Sequence, residues 1–256
     1  MNTPPRAGTS TTNWLVRRVP RTDAPLRLYC FPHSGGSPGE YLRWSERLPQ
    51  TEVWGVQAPG RGSRIAEQPL TAMADLVQTL LAEVRFQEPF VFFGHSLGAL
   101  VAYETAHALR LRARAQPQSI VVSACTPPDR PRDRAAVSGL DDRALLAVIE
   151  QRYGGLPPEV TADRELWQLV LPYYRADFAL FENYRYRSRP PLDVPLHVVG
   201  GDQDIPEPLL SQWARQTTGP FTLQTLSGGH FYFRNEPQGT QLLRHLDGIL
   251  HPPALT

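Results

Sequence analysis

From residue 12 onward the chain alternates short apolar runs with longer stretches of helical periodicity. The runs are "LRLYCF" (Leu26–Phe31), "VWGVQ" (Val53–Gln57), "FVFFG" (Phe90–Gly94), "SIVVSAC" (Ser119–Cys125), "LHVVGG" (Leu196–Gly201) and "TLQTL" (Thr222–Leu226). They are almost continuously apolar, with little in/out alternation, as expected of strands covered on both faces in a parallel sheet. Helices are predicted between them, near Gly39–Leu48, Ala72–Arg85, Leu97–Arg114, Pro208–Thr217 and Gln238–Leu250. Regular alternation of this kind predicts a doubly wound α/β fold with right-handed crossovers. "WLVRRV", ahead of the first run, is a candidate antiparallel strand at the sheet edge.

One interval breaks the rhythm. From about Thr126 to Arg189 there is no strand-like run, only helical pattern around Asp141–Tyr153 and Asp163–Tyr184. An insertion of this size between two strands predicts a helical lid over the strand ends, although an extra packing layer would look the same. The Pro-, Thr-, Ser- and Gly-rich residues 1–12 predict a mobile tail, and "HPPALT" resembles them. The expected organisation is thus one domain over 1–256, with a lid at roughly 126–189.

Composition narrows the class. A chain of 256 residues is ordinary for one α/β unit. A net charge of +1 gives no reason to expect nucleic acid or an anionic membrane. Cys30 and Cys125 end apolar runs and lack metal-ligand spacing, so they read as buried thiols in a reducing compartment. No apolar leader or bilayer-length segment is seen, and a cytoplasmic location is expected.

Chemistry enters at "FFGHSLGAL" (Phe92–Leu100), a G-x-S-x-G pentapeptide between a strand and a helix. An isolated match is ordinary turn chemistry. In the strand–turn–helix context it is a nucleophile elbow, which places Ser96 at the carboxyl end of a strand. A serine hydroxyl needs a base. Of seven histidines, His95 lies inside the elbow and should point away from Ser96, while His107, His197 and His245 fall within regular elements and His251 in the tail. His33 belongs to an earlier loop. His230, in the Gly-rich loop "LSGGHFYF" after the last strand, is the candidate base. The chain order Ser, acid, His puts the acid in "GGDQD", where Asp204 is favoured over Asp202 because it has cleared the sheet. An oxyanion site requires fixed N–H donors. Leu97, first in the elbow helix, supplies one, and Ser34 in "FPHSGGSPG" is the candidate for the other, with His33 next.

Together "CFPHSGG", "QAPGRGSR", "FFGHSLGAL", "GGDQD", "SGGHFYF" and the segment "LVLPYYRADFALFENY" resemble the stand-alone type II thioesterases of polyketide and nonribosomal peptide assembly lines, over about Arg27 to Leu250. The resemblance implies an α/β-hydrolase fold: a mostly parallel central sheet flanked by helices, with a helical lid insertion. It implies Ser96, Asp204 and His230 as a triad, acting on acyl groups carried by the phosphopantetheine arm of acyl or peptidyl carrier proteins. No cofactor or metal is implied beyond that substrate-borne arm. Arg61 and Arg64 match the family's loop, but the sequence assigns them no role. If carriers are acidic, "RLRAR" (Arg110–Arg114) and "RPRDR" (Arg130–Arg134) are candidate docking clusters, and equally plain solvated faces.

Three alternatives stay open. A general acyl-CoA thioesterase or carboxylesterase would use the same triad. A non-catalytic hydrolase-fold binding protein would need none of it. A releasing or cyclising domain cut from a larger synthase is disfavoured because no carrier-like segment precedes the fold in this sequence.

Overall fold

The computed structural model describes residues 12–130, 136–153, 160 and 162–252. Seven strands form a single sheet in the order β1-β3-β2-β4-β5-β6-β7. The strands are β1 (Leu15–Val16), β2 (Leu26–Phe31), β3 (Thr51–Val56), β4 (Phe90–His95), β5 (Ile120–Ser123), β6 (Leu196–Gly201) and β7 (Phe221–Leu226). All neighbouring pairs are parallel except β1 with β3, so the predicted antiparallel edge strand is present.

The near-continuous apolar runs are accounted for by two cores. Along β2, Tyr29 and Phe31 face one layer, while Leu28 and Cys30 face the other. The first layer is α2 (Met73–Glu83) and α3 (Leu97–Leu111). The second is α1 (Gly39–Leu42) with α7 (Gln238–Leu250), through Tyr41, Trp44, Leu242 and Leu246. The cysteines are buried and unpaired. Two predicted helices are shorter than expected. Residues 39–48 form α1 and then a 3₁₀ turn, and 208–217 contain α6 (Glu207–Leu210) and then a 3₁₀ segment. In both, polar side chains take up carbonyls that an α-helix would use: Ser45 Oγ donates to Leu42 O, and Ser211 Oγ to Pro208 O.

Between β5 and β6 lie α4 (Asp142–Tyr153) and α5 (Arg164–Glu182), with no strand among the described residues. They enclose a small core of their own, formed by Val137, Leu145, Ile149, Leu171, Tyr174 and Phe178. Farther along α5, Leu180 joins the main core. All but the last residue of the expected tail at 1–12, and most of the Arg130–Arg134 cluster, lie outside the described residues. Among the described residues no helix is long and apolar enough to cross a membrane.

The strand order reverses between β2 and β4, so the loops after these strands part there and leave a crevice at their carboxyl ends. Ser34 follows β2 and Ser96 follows β4. The loops after β6 and β7, which carry Asp204 and His230, end on the same edge of the sheet.

Candidate active site

β4 ends at His95 and α3 begins at Leu97, so Ser96 alone makes the turn. Its φ of 54° and ψ of −118° lie where side-chain-bearing residues are rarely found. The neighbours hold it there: Ser96 N donates to Ser123 O on β5 at 2.8 Å, and Ala99 N donates to Ser96 O at 3.1 Å. The flanking glycines are required by packing. A Cβ on Gly94 would lie 2.3 Å from Gly98 O, and one on Gly98 would lie 1.9 Å from Phe31 O. The loop after β2 therefore passes directly over the first turn of α3.

His230 Nδ1 is 2.8 Å from Asp204 Oδ2. Both side chains are about one-fifth exposed, at the rim of the crevice. Asp202 serves the loops instead. Its Oδ1 accepts from Gly228 N at 2.8 Å, while Asp202 N donates to Leu226 O and Gln203 N to Gly228 O. This exposed carboxylate ties the acid loop to the histidine loop.

Behind His230 lies a set of buried rings. The His95 ring is 5.0 Å from that of His230, and its Nδ1 bonds Ser123 Oγ at 2.8 Å, which in turn bonds the Tyr232 hydroxyl at 2.7 Å. His33 Nδ1 bonds the Tyr41 hydroxyl at 2.9 Å, and Arg234 Nη2 lies 3.3 Å from His33 Nε2. Burial lowers the pKa of both His33 and His95, and nearby cationic groups lower it further, so both are neutral near pH 7. Arg234 is fixed by Glu40 at 2.7 and 2.9 Å and stacks on Phe231.

The loop carrying Ser34 is a turn. Gly36 N donates to His33 O at 2.9 Å, and Gly35 has φ of 72°. Two distant segments grip it. Asp177 on α5 accepts from Gly35 N at 2.7 Å. Arg61 donates to Gly36 O at 3.1 Å and to both oxygens of Asp177 at 2.8 and 2.7 Å. Both side chains of this pair are buried. Burial opposes the Arg61 charge, but the Asp177 carboxylate outweighs it and leaves the guanidinium pKa raised. Tyr174, one turn before Asp177, lays its ring on Gly35, where a Cβ would lie 1.9 Å from Tyr174 Cε1. Arg64 is structural: it pairs with Glu67, donates to Gln57 O and stacks on buried Trp14. A small cavity lies against Leu97 and Gly98, lined mainly by apolar side chains such as Trp14, Phe31, Leu80 and Val101, with the Arg61–Asp177 pair also on its wall.

The family model that describes the thioesterase domain matches residues 26–250. The chain belongs to the thioesterase family. This thioesterase is 42% identical over 229 residues to thioesterase PikA5 of Streptomyces venezuelae, covering 87% of this chain and 81% of that protein. Among solved structures it is similar to the RedJ thioesterase from the prodiginine biosynthetic pathway in Streptomyces coelicolor, with 38% identity, a TM-score of 0.80 and coverage of 88% and 91% of the two chains. It is also similar to BorB, the type II thioesterase from the borrelidin biosynthetic cluster, with 34% identity, a TM-score of 0.84 and coverage of 95% and 100%. The expected α/β-hydrolase fold and thioester-hydrolysing class are therefore those of the protein.

Two arginines of the candidate carrier-docking run at the end of α3 bond the chain itself. Arg110 donates to Pro190 O and Pro191 O, and Arg114 to Leu81 O and Val84 O. The run also begins about 20 Å along the helix from Leu97 at a rise of about 1.5 Å per residue, so it caps the chain's own carbonyls at the end of α3 away from the crevice.

Proposed function

We propose that this thioesterase removes acyl groups from the phosphopantetheine arm of acyl or peptidyl carrier proteins in secondary-metabolite assembly, with Ser96, His230 and Asp204 as its triad. The triad rests on the 2.8 Å His230–Asp204 bond, together with a serine held at a strained turn after β4. With Nδ1 engaged by Asp204, Nε2 is the nitrogen that takes the Ser96 proton. Ser96 Oγ forms a bond to the thioester carbonyl, and the Leu97 and Ser34 N–H groups receive the developing oxyanion. Collapse breaks the C–S bond, and the pantetheine sulfur leaves with the proton held by His230. Water, deprotonated by the same imidazole, then releases the acid and restores Ser96. The acyl chain enters the crevice beside Leu97, where a small, mainly apolar cavity begins. No cofactor takes part beyond the arm that belongs to the substrate.

The carrier substrate is supported by relatives named for biosynthetic pathways, among them the gramicidin S biosynthesis protein GrsT of Aneurinibacillus migulanus, 32% identical over 224 residues, and YbtT, a type II thioesterase from the yersiniabactin NRPS/PKS pathway. Acyl-carrier protein, acyl-CoA and an aryl ester, each offered to wild type and Ser96→Ala, test the reading. Carrier-linked acyl groups are expected to turn over fastest, with the activity lost in Ser96→Ala. A preference for acyl-CoA or the aryl ester would indicate a general hydrolase. Absence of Ser96-dependent turnover on all three would indicate a binding protein.

A further inference from the structure

We infer that Arg61 and Asp177 are positioning residues that set the direction of the Ser34 N–H and so govern the oxyanion site; this rests on the proposed role of Ser34. The turn His33–Gly36 closes through Gly36 N to His33 O. In a trans peptide the C=O and N–H point in opposite directions. Fixing His33 O inside the turn therefore fixes the Ser34 N–H to face outward on the other side. Nothing within the turn prevents its Gly-Gly half from flipping, because glycine adopts either hand of φ readily. That restraint comes from outside: Asp177 takes the N–H of Gly35, Arg61 takes the C=O of Gly36, and the two are locked together by a bidentate ion pair.

Stability alone does not explain such a pair. Buried ion pairs are commonly no better than apolar residues of the same volume. Apolar residues could not, however, hold a backbone donor and the acceptor of the next residue in one turn. The geometry also joins three segments that sequence keeps far apart: the turn after β2, the loop before α2 and helix α5. Its consequence is that α5 helps to assemble the catalytic geometry.

The test compares Arg61→Met/Asp177→Leu, which removes both charges together, with Asp177→Asn, whose amide oxygen still accepts from Gly35 N. A small acyl-pantetheine thioester is the substrate, and thermal unfolding is followed alongside. The double variant should fold and lose about 10²-fold in kcat, as when one oxyanion donor is lost, with KM within about threefold. Asp177→Asn should fall between it and wild type. A folded double variant with wild-type kcat, or one impaired only in KM, would overturn the inference. Should the double variant not fold, Asp177→Asn decides, and wild-type kcat there is equally fatal. Ser96→Ala run in parallel separates this outcome from failure of the triad itself, since unchanged turnover in that variant would remove the premise.

Discussion

Gly98→Ala perturbs the proposed oxyanion site through backbone alone. The added methyl would sit 1.9 Å from Phe31 O and 2.6 Å from Pro32 O, against 3.4 Å for ordinary contact. Neither obstacle is a side chain that can rotate away. The loop after β2 must therefore withdraw from α3 by roughly 1.5 Å, taking with it Ser34, which follows Pro32 by only two positions. A donor placed about 2.9 Å from an oxyanion would end beyond hydrogen-bond reach. Loss of one such donor costs about 3 kcal/mol in the transition state, or about 10²–10³-fold in kcat. Overpacking in the native state costs a further 1–3 kcal/mol, roughly, in stability. Steady-state hydrolysis of an acyl-pantetheine thioester, paired with urea unfolding, measures both. A folded Gly98→Ala protein with kcat within about threefold of wild type would show that the close approach of loop and helix has no bearing on catalysis.

The two loop aspartates should separate cleanly: Asp204→Asn is expected to lower kcat by about 10²–10⁴-fold through loss of the His230 orientation, whereas Asp202→Asn should stay within a few-fold of wild type. Equal losses in the two would refute the assignment of the acid. Stability should fall on mild acidification, because burial depresses the pKa of His33, His95 and His107, the last to about 3. The unfolded chain then binds protons below about pH 6.5 that the native protein does not. Each of these histidines removes about 1.4 kcal/mol between pH 7.5 and 5.5, or about 4 kcal/mol for the three. Urea midpoints across that range check it, and a flat profile would mean that these rings gain protons without unfolding. Arg64→Ala should destabilise the protein by about 1–3 kcal/mol, through the lost Gln57 carbonyl bond and Trp14 stacking, while leaving kcat near wild type; a selective loss of kcat would give Arg64 a chemical role.

The sheet, its antiparallel edge and the positions of Ser96, Asp204 and His230 are legible in the sequence because each depends on local signals: apolar runs, a Gly-x-Ser-x-Gly turn and Gly-rich loops after strands. The shortened helices at 39–48 and 208–217 are not, since serines bonding back to nearby carbonyls scarcely disturb a hydrophobic pattern. Arg61 has no role that sequence alone can assign, because its partner lies 116 residues away. A signal is nonetheless present. Asp177 is the acid in the aromatic stretch "YYRADFALF", and a carboxylate on an apolar helical face calls for a buried cation. Asp202 looks like a solvated bystander in the sequence, and its bond to Gly228 N follows only from how the β6 and β7 loops meet.

The separate core enclosed by α4 and α5 gives this part of the molecule the character of an exchangeable cassette. Among the described residues its apolar contacts close on themselves through Val137, Leu145, Ile149 and Leu171, and reach the body of the protein at Tyr174, which lies on Gly35, and at Leu180. A donor segment spliced in before that point could replace this core without repacking the sheet, provided it retained counterparts of Tyr174 and Asp177. This part of the molecule would then be free to change without disturbing the machinery that cleaves the bond.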